Sequence, residues 1–346
     1  MKKFVARLAL ALLPLALYLC FFIAFEPNNY FGFKNTDTMF TRIMGYTQEK
    51  PASIIIGDSR LANFDMALVD EAAGRSFYNL AFGGATLEES VDLLEYALAQ
   101  NSALQEVVLG LSFYTVNESY GTVSRMATIE KQIANPFAYI SNFQYNIDAA
   151  VALMNTVKGV PLGAELETAE HTEADYMQNG TKLPYRKDLI AYASLLYGNC
   201  AKAGAVPSAL GSVDAMVSAM DAGTLSAAGL MGEMQAASLQ MSKFAVNEKQ
   251  LARLIDAAAL CRARGVQLTV VLPPMHQSVQ NLVCVPLGID KAMQSVLAAL
   301  HNAGVRVLDY EWENPPAYTD DAFFDGFHLD LRHGLPAFTK TLFSAV

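Results

Sequence analysis

The sequence predicts an α/β fold, a three-layer arrangement in which helices cover both faces of a parallel sheet. Short apolar runs rich in β-branched residues alternate with amphipathic helical segments, and this alternation is typical of a parallel sheet buried on both sides. Five strands are predicted at 53–59, 76–82, 106–112, 268–274 and 305–310. Helices are predicted at 87–100, 247–265 and 290–304.

The composition indicates a folded chain and argues against nucleic acid as a partner. Of 346 residues, 53% are hydrophobic and 17% are charged, which excludes wholesale disorder. The formal net charge of −10 argues against nucleic acid, whose binding requires a basic face. The 4 cysteines are too few for a disulfide-stapled scaffold. Cys200, Cys261 and Cys284 show no CxxC spacing, and one disulfide among these three stays open.

The N-terminus predicts a membrane anchor. Leu8–Phe25 is an uncharged run of 18 residues that follows three basic residues within the first seven positions. As a helix it would span about 27 Å, close to the roughly 30 Å of a bilayer's hydrocarbon core. The basic flank predicts a cytoplasmic N-terminus and an extracytoplasmic domain. A cleaved signal peptide and a lipoprotein are the alternatives to a retained single-pass anchor over residues 1–27.

The rest of the chain is predicted to form one domain with an insertion. Residues 28–51 are polar and aromatic without a clear period, and they predict a stalk that leads into a domain over 52–346. The alternation of strand and helix breaks at about 115–245, which predicts a helical insertion between the third and fourth strands. An insertion above the carboxyl ends of the strands is placed to act as a lid or docking surface. A stabilising elaboration is the alternative.

Three motifs fall at predicted strand ends, where α/β sheets place their sites. Gly57–Ser59 follows the first strand, and a serine on such a tight turn exposes its hydroxyl. Gly83-Gly84 follows the second strand and can direct backbone N–H groups at a forming oxyanion. Asp325 and His328 are three residues apart near the C-terminus, a spacing that lets a carboxylate orient an imidazole.

A metal site is the alternative interpretation of the C-terminal motif, because that segment is dense in carboxylates and imidazoles. Its spacings match no standard zinc pattern. The residues concerned are Asp321, Asp325, His328, Asp330 and His333.

The order of the three motifs resembles the SGNH, or GDSL-type, hydrolase superfamily across the predicted α/β core without the insertion. The resemblance implies that Ser59 is the nucleophile and that Asp325 and His328 complete a catalytic triad. It also implies an oxyanion hole made by the backbone N–H groups of Ser59 and Gly84. The implied activity is ester hydrolysis or acyl transfer through a covalent acyl-serine, with no metal or organic cofactor.

The third motif departs from the family. Where the family has Gly-x-Asn-Asp after the third strand, this chain reads GLSFYT from Gly110, with Tyr114 near the asparagine position and Asn117 three residues on. Loss of one oxyanion donor costs about 10²–10³ in rate. The departure therefore argues against a fast generic esterase.

Together with the N-terminal run, the departure is similar to membrane-anchored SGNH-like proteins of cell-envelope modification, namely the alginate acetylation proteins and the D-alanyl transfer protein of teichoic-acid systems. That likeness includes Pro273–His276 at a predicted strand end. It implies a cell-surface glycan or related polymer as substrate and a membrane-bound O-acyltransferase as partner.

Three residues are candidates for substrate binding. His276 lies at a strand end, Arg60 could meet a uronate or phosphate, and Tyr114 could stack on a sugar ring. An ion-paired or surface arginine and ordinary aromatic packing are the structural alternatives for the last two. The sequence as a whole predicts a membrane-anchored extracytoplasmic serine acyltransferase or esterase. The rival is a catalytically weak, glycan-binding scaffold that docks a membrane acyltransferase.

Overall fold

The computed structural model contains a five-stranded parallel sheet. Its strands are β1 (Ser53–Ile56), β2 (Tyr78–Asn79), β3 (Glu106–Gly110), β4 (Gln267–Leu272) and β5 (Arg306–Asp309). They lie in the order β2-β1-β3-β4-β5, and every neighbouring pair is parallel. The predicted α/β fold class is confirmed. The structure describes residues 1–32, 37–121, 124–158, 214–215, 218, 222, 243–285, 287–319, 322–323 and 327–346.

The helices predicted around the sheet are present, together with several that were not predicted. Helix α5 begins with a capping box, in which the Thr86 hydroxyl and the Glu89 carboxylate each accept a hydrogen bond from the other residue's backbone N–H. The described helices are α1 (Lys2–Phe25), α2 (Met39–Glu49), α3 (Ser59–Ala62), α4 (Met66–Ala73), α5 (Leu87–Gln100), α6 (Met126–Ala134), α7 (Pro136–Ile140), α8 (Phe143–Val157), α9 (Glu248–Ala263), α10 (Gln277–Val279), α11 (Ile289–Asn302) and α12 (Gly334–Ala345).

The strand β2 is short because the chain around Asn79 forms hydrogen bonds outside the sheet. The second strand was predicted over 76–82, but β2 has 2 residues. The Asn79 side chain donates to the carbonyls of Leu61 and Ala62 and accepts from the Ala81 N–H, which bends the chain over the end of β1. The segment still pairs with the first strand beyond β2, since the Phe82 N–H donates to the Gly57 carbonyl.

The core lies between the sheet and its helices. Side chains of successive strand residues point to opposite faces, so Ile55 belongs to one layer and Ile54 to the other. The first layer joins the sheet to α4 and α12, and its aromatic members pack edge-to-face around Phe343. On the other side of the strands, α5 and α9 pack against each other, and Arg253 of α9 pairs with Asp92 of α5. Burial of these apolar faces stabilises the packing of the helices against the sheet.

The chain divides into two compact units. One comprises Met1–Gln48 and Arg125–Ala169, and the other comprises Glu49–Ser124 and Glu170–Val346. The first helices of the predicted insertion fall in the same unit as the N-terminal segment, and the predicted domain boundaries stay predictions. Among the described cysteines, Cys261 and Cys284 of the larger unit are free. Cys200 lies outside the described residues.

The regular secondary structure described in the smaller unit is helical, and it includes α1, the candidate membrane span. Helix α1 has 24 residues with a mean hydropathy of 2.6 in its most apolar window, so it is long and apolar enough to cross a membrane. Residues 39–49 of the predicted stalk form α2, and the role of this segment as a stalk stays a prediction. Phe40, Ile43 and Tyr46 recur every third residue along that helix, and all three are buried.

The ends of the insertion are held together at the larger unit. The chain leaves β3 through a 3₁₀ turn (Phe113–Val116), and Asn117 then forms an antiparallel bridge with Val246. The Asn117 carboxamide oxygen accepts from the backbone N–H groups of Ser119 and Ala245. A single short bridge thus closes the excursion between β3 and β4. Most of 159–242 lies outside the described residues.

We expect Gly110→Ala to destabilise the larger unit, because a Cβ at this position would lie 2.1 Å from Cδ1 of Leu61. Leu61 is fully buried, so the crowding cannot be relieved at the surface. Overpacking of this kind costs about 1–3 kcal/mol. Urea unfolding measures the loss. Gly83→Ala is the matched control, since nothing lies within 4 Å of its added Cβ. Equal stability of the two variants would contradict the close packing described here.

Candidate active site

Ser59 is positioned by the turn that ends β1. Asp58 caps the short helix α3, and its carboxylate accepts a 3.0 Å hydrogen bond from the Arg60 N–H. Gly57 sits directly against Gly110 of β3, where a side chain would not fit without displacing its neighbours. The serine is therefore presented at the carboxyl edge of the sheet, on the strand that lies between β2 and β3. This strand adjoins the topological switch point, where open α/β sheets bind their ligands.

The hydroxyl of Ser59 meets the imidazole of His328. The distance from Ser59 Oγ to His328 Nε2 is 2.7 Å, and the two residues are 269 positions apart in the chain. Both are partly exposed. A serine and a histidine at this distance have the geometry of a nucleophile and its general base.

The backbone around His328 is fixed from two sides. Phe323 and Leu329 form an antiparallel bridge, and the Asp330 N–H donates to the carbonyl of Ala322. The Asp330 carboxylate accepts from three backbone N–H groups at the start of α12, those of Arg332, His333 and Gly334. The loop is thereby attached to the helix, which keeps the imidazole facing Ser59.

Phe327 packs the same loop against residues of the third motif. Its ring packs against Phe113 at 5.5 Å and against Tyr114 at 5.4 Å between centroids. The residues in place of the family's Gly-x-Asn-Asp therefore support the residue next to His328. Tyr114 is buried, so it lacks the exposure that the expected stacking on a sugar requires. Burial and the nearby Asp58 carboxylate raise the pKa of the Tyr114 hydroxyl well above its usual range.

Arg60 is buried as well, and its guanidinium serves internal partners. It pairs with Glu311 at 2.6 Å, donates to Ser112 Oγ at 3.2 Å, and reaches the carbonyls of Pro273 and Pro274. These partners follow β5, β3 and β4, while Arg60 itself follows β1. The ion-paired alternative is what the structure shows, and the expected contact of Arg60 with an anionic substrate is wrong for this conformation.

Glu311 is the site residue that the sequence analysis missed. One of its oxygens binds Arg60 and the other accepts a 2.9 Å hydrogen bond from the Trp312 indole N–H. Burial raises the pKa of Glu311 to about 7, against the opposing effect of the arginine. The available signal was a glutamate directly after a predicted strand, but nothing local connects it to a partner 251 residues away.

The remaining predicted residues fall as follows. Gly84 is exposed on the turn after β2 with φ of +71°, a conformation that favours glycine. His276 is buried at the end of β4, and its ring packs edge-on at 5.1 Å against Phe323, on the loop that carries His328. Asp325 lies outside the described residues, so its place in the triad stays a prediction. The oxyanion role of Gly84 and the substrate-binding role of His276 also stay predictions.

The structure offers little support for the metal alternative. Within the part of the chain that the structure describes, no three histidine, cysteine, aspartate or glutamate side chains converge to hold an ion. Asp330 is already engaged by backbone N–H groups. Asp321 and Asp325 lie outside the described residues.

Comparison with known proteins finds likeness in structure alone. No family model and no curated protein matches the chain. The chain is similar to a candidate acylhydrolase from Bacteroides fragilis NCTC 9343, with 9% identity, a TM-score of 0.39, and coverage of 90% of this chain and 97% of that one.

Two further solved structures are similar to the chain. A candidate lipolytic protein of G-D-S-L family from Desulfitobacterium hafniense DCB-2 has 9% identity, a TM-score of 0.36, and coverage of 86% and 100% of the two chains. A candidate platelet activating factor from Streptococcus pneumonia has 10% identity, a TM-score of 0.36, and coverage of 88% and 91%. Likeness at these identities and TM-scores carries no conclusion about activity.

We expect Arg60→Met to lower the free energy of unfolding by about 3–5 kcal/mol at pH 8, because the buried Glu311 carboxylate, ionised at that pH, loses its counter-charge. The double variant Arg60→Met/Glu311→Leu removes both charges and should regain most of that loss. Urea unfolding of the wild type, both single variants and the double variant gives the coupling energy. A double variant as unstable as the sum of its singles would contradict the pairing.

The pH dependence of stability gives a separate check on Glu311. The pKa of Glu311 in the folded state lies above its ordinary value. The stability that this shift contributes is therefore fully present below the ordinary pKa and is lost as pH rises through about 7. Burial also raises the pKa of Asp309, which acts in the same direction. Asp309 is retained in the double variant, so the difference in slope between pH 5 and pH 8 isolates Glu311. We expect the wild type to lose more stability over this range than the double variant.

Proposed function

We propose that the chain is a serine acyl hydrolase or acyltransferase of the SGNH/GDSL type, anchored in a membrane by α1 and working outside the cytoplasm. The observation that carries the catalytic part is the 2.7 Å contact between Ser59 Oγ and His328 Nε2. Two residues so distant in sequence meet at the carboxyl edge of a parallel sheet, where α/β enzymes place their chemistry.

The first half-reaction would form an acyl-serine. Ser59 Oγ attacks the carbonyl carbon of an ester while His328 Nε2 takes the hydroxyl proton. The tetrahedral oxyanion collapses, the bond to the leaving oxygen breaks, and His328 returns the proton to that oxygen. In the second half, a hydroxyl group or water attacks the acyl-serine with His328 again as base, and Ser59 is released with its proton restored.

The supporting groups are assigned by resemblance and position. Asp325 would orient the imidazole and stabilise its protonated form. The backbone N–H groups of Ser59 and Gly84 would hold the oxyanion. Gly84 is suited to this role because the turn that carries it is hydrogen-bonded to the serine turn, through Phe82 and Gly57.

The substrate and setting are proposed from the likeness of the whole layout. The acyl acceptor would be a hydroxyl of a cell-surface glycan or related polymer, with His276 near the crevice as a binding residue, and a membrane-bound O-acyltransferase would be the partner. Basic residues before the apolar run of α1 would remain cytoplasmic, which places the sheet outside.

The test is labelling of the full-length protein in detergent with a fluorophosphonate. An activated serine oxygen forms a bond to the phosphorus of this probe as fluoride leaves. We expect one labelled peptide containing Ser59, identified by mass spectrometry. Ser59→Ala should abolish labelling because the nucleophile is gone, and His328→Ala should nearly abolish it because the base is gone. Ser102→Ala and His301→Ala change exposed residues of the same types and should label like the wild type.

Two outcomes would contradict the catalytic proposal. Labelling that persists in Ser59→Ala would place the reactive serine elsewhere. Absence of labelling in a protein shown to be folded by circular dichroism would favour the rival, a glycan-binding scaffold that retains the fold. The altered third motif is the feature that favours this rival.

We expect Asp325→Asn to slow labelling, by up to roughly 10⁴-fold, without removing it. An asparagine can still bond to the imidazole but favours the wrong tautomer and cannot stabilise the protonated ring. Labelling rates from quenched time courses measure the effect. Asp256→Asn, an exposed change on α9, is the control. A rate equal to that of the control would remove Asp325 from the triad.

A further inference from the structure

Helix α8 in the smaller unit has an apolar face that is exposed among the residues that the structure describes. Its members recur at intervals of four, four, three and three residues, so they line one side of the helix. They are Phe143 (79% exposed), Ile147 (40%), Val151 (41%), Met154 (53%) and Val157 (79%), which we call the α8 stripe. A contiguous exposed apolar face of this kind marks an interaction site in a folded protein.

The direction of α8 relative to α1 indicates where the stripe lies. The ring of Tyr139, just before α8, lies 5.8 Å from that of Phe22 between centroids, and its hydroxyl donates a hydrogen bond to the Glu26 carboxylate. Farther along the chain, Asn146 accepts a 2.8 Å hydrogen bond from the Tyr18 hydroxyl. From Tyr139 at the end of α7 to Asn146 in α8, the partners on α1 move back from Glu26 and Phe22 to Tyr18, whose hydroxyl also donates to the Ile140 carbonyl at 3.1 Å. The two helices therefore run antiparallel, and α8 continues toward the N-terminal half of α1.

Residues 8–25 of α1 are the part proposed to lie in the membrane. Tyr18 is seven residues before Phe25, the end of the helix, and at 1.5 Å per residue it lies about 10 Å inside that end. Asn146, bonded to Tyr18, lies at the same depth. If residues 8–25 occupy the hydrocarbon core, most of the α8 stripe must occupy it too.

The polar groups of α8 are paired in a manner that suits this location. The Asn146 amide donates to the carbonyls of Ile140 and Asn142, each at 2.8 Å. The Gln144 amide donates to the Asp148 carboxylate at 2.9 Å, so these two polar side chains bind each other. Polar groups within a bilayer require such internal partners, because no water is available to them.

We infer that α8 is inserted in the bilayer alongside α1, with the α8 stripe facing lipid acyl chains. Its 15 described residues span about 22 Å. Val157 lies about 16 Å farther along the helix than Asn146, so α8 reaches close to the depth at which the apolar run of α1 begins. The inference rests on the membrane anchoring proposed above. It adds a second inserted element to a protein otherwise expected to have one.

The test uses the full-length protein reconstituted in phosphatidylcholine vesicles. Single cysteines carry an environment-sensitive fluorophore in a background from which the other native cysteines have been removed. Native Cys20, exposed on α1, reports the anchor, while Val151→Cys and Met154→Cys report the stripe. Ser102→Cys, on the larger unit, reports the aqueous phase. Retained fluorophosphonate labelling at Ser59, or unchanged circular dichroism, shows that each variant is folded.

Each position is then exposed to lipids with a nitroxide on the acyl chain and, separately, to aqueous iodide. We expect emission at 151 and 154 to fall with the nitroxide lipid as it does at Cys20, and to resist iodide. Ser102→Cys should show the opposite response. Quenching of 151 and 154 by iodide alone, with Cys20 quenched by lipid, would overturn the inserted α8 while leaving the anchor intact.

Two other results would also overturn the inference. Resistance of 151 and 154 to both quenchers would mean that protein, from this chain or another, covers the stripe. Failure of the nitroxide lipid to quench Cys20 would remove the anchor and the inserted α8 with it. None of these results depends on the catalytic residues, so the acyl-serine proposal stands or falls separately.

Discussion

The larger unit depends on one buried cation. Arg60 follows the candidate nucleophile directly, and its guanidinium is held by groups that come after three other strands of the sheet. A charge without solvent is tolerated only when its hydrogens are nearly all bonded, and four of the five N–H groups of Arg60 have acceptors. The loops at the carboxyl edge thus share a common partner, and this sharing fixes the turn of Ser59.

The second constraint is the attachment of the histidine loop. Asp330 ties this loop to the start of α12, and Phe327 packs it against Phe113 from another direction. The His328 imidazole is thereby confined without being buried. The residues that replace the expected asparagine in the third motif take part in this confinement. What resembles the loss of an oxyanion donor in the sequence is, in the folded chain, a gain in support for the loop that carries His328.

The sequence was most informative where the signal is local. The run of isoleucines in β1 and the apolar spacing of α5 depend on neighbours within a few residues, and both elements were predicted. Helix α2 was missed because its apolar residues recur every third position among polar ones, a weak pattern that tertiary burial makes sufficient. The roles of Arg60 and Tyr114 could not be settled, since burial is a property of the assembled core. Ser59 and His328 could be paired only through the resemblance of their motifs.

The separation of Ser59 and His328 has a consequence for biosynthesis. His328 is made 269 residues after Ser59. At translation rates of roughly 5–20 residues per second, the serine waits for tens of seconds before this imidazole can reach it. During that interval the nascent chain holds an ordinary, unreactive hydroxyl. If the chain is exported as it is made, the two side chains meet only outside the cytoplasm, so the reactive serine proposed here would spare cytoplasmic esters.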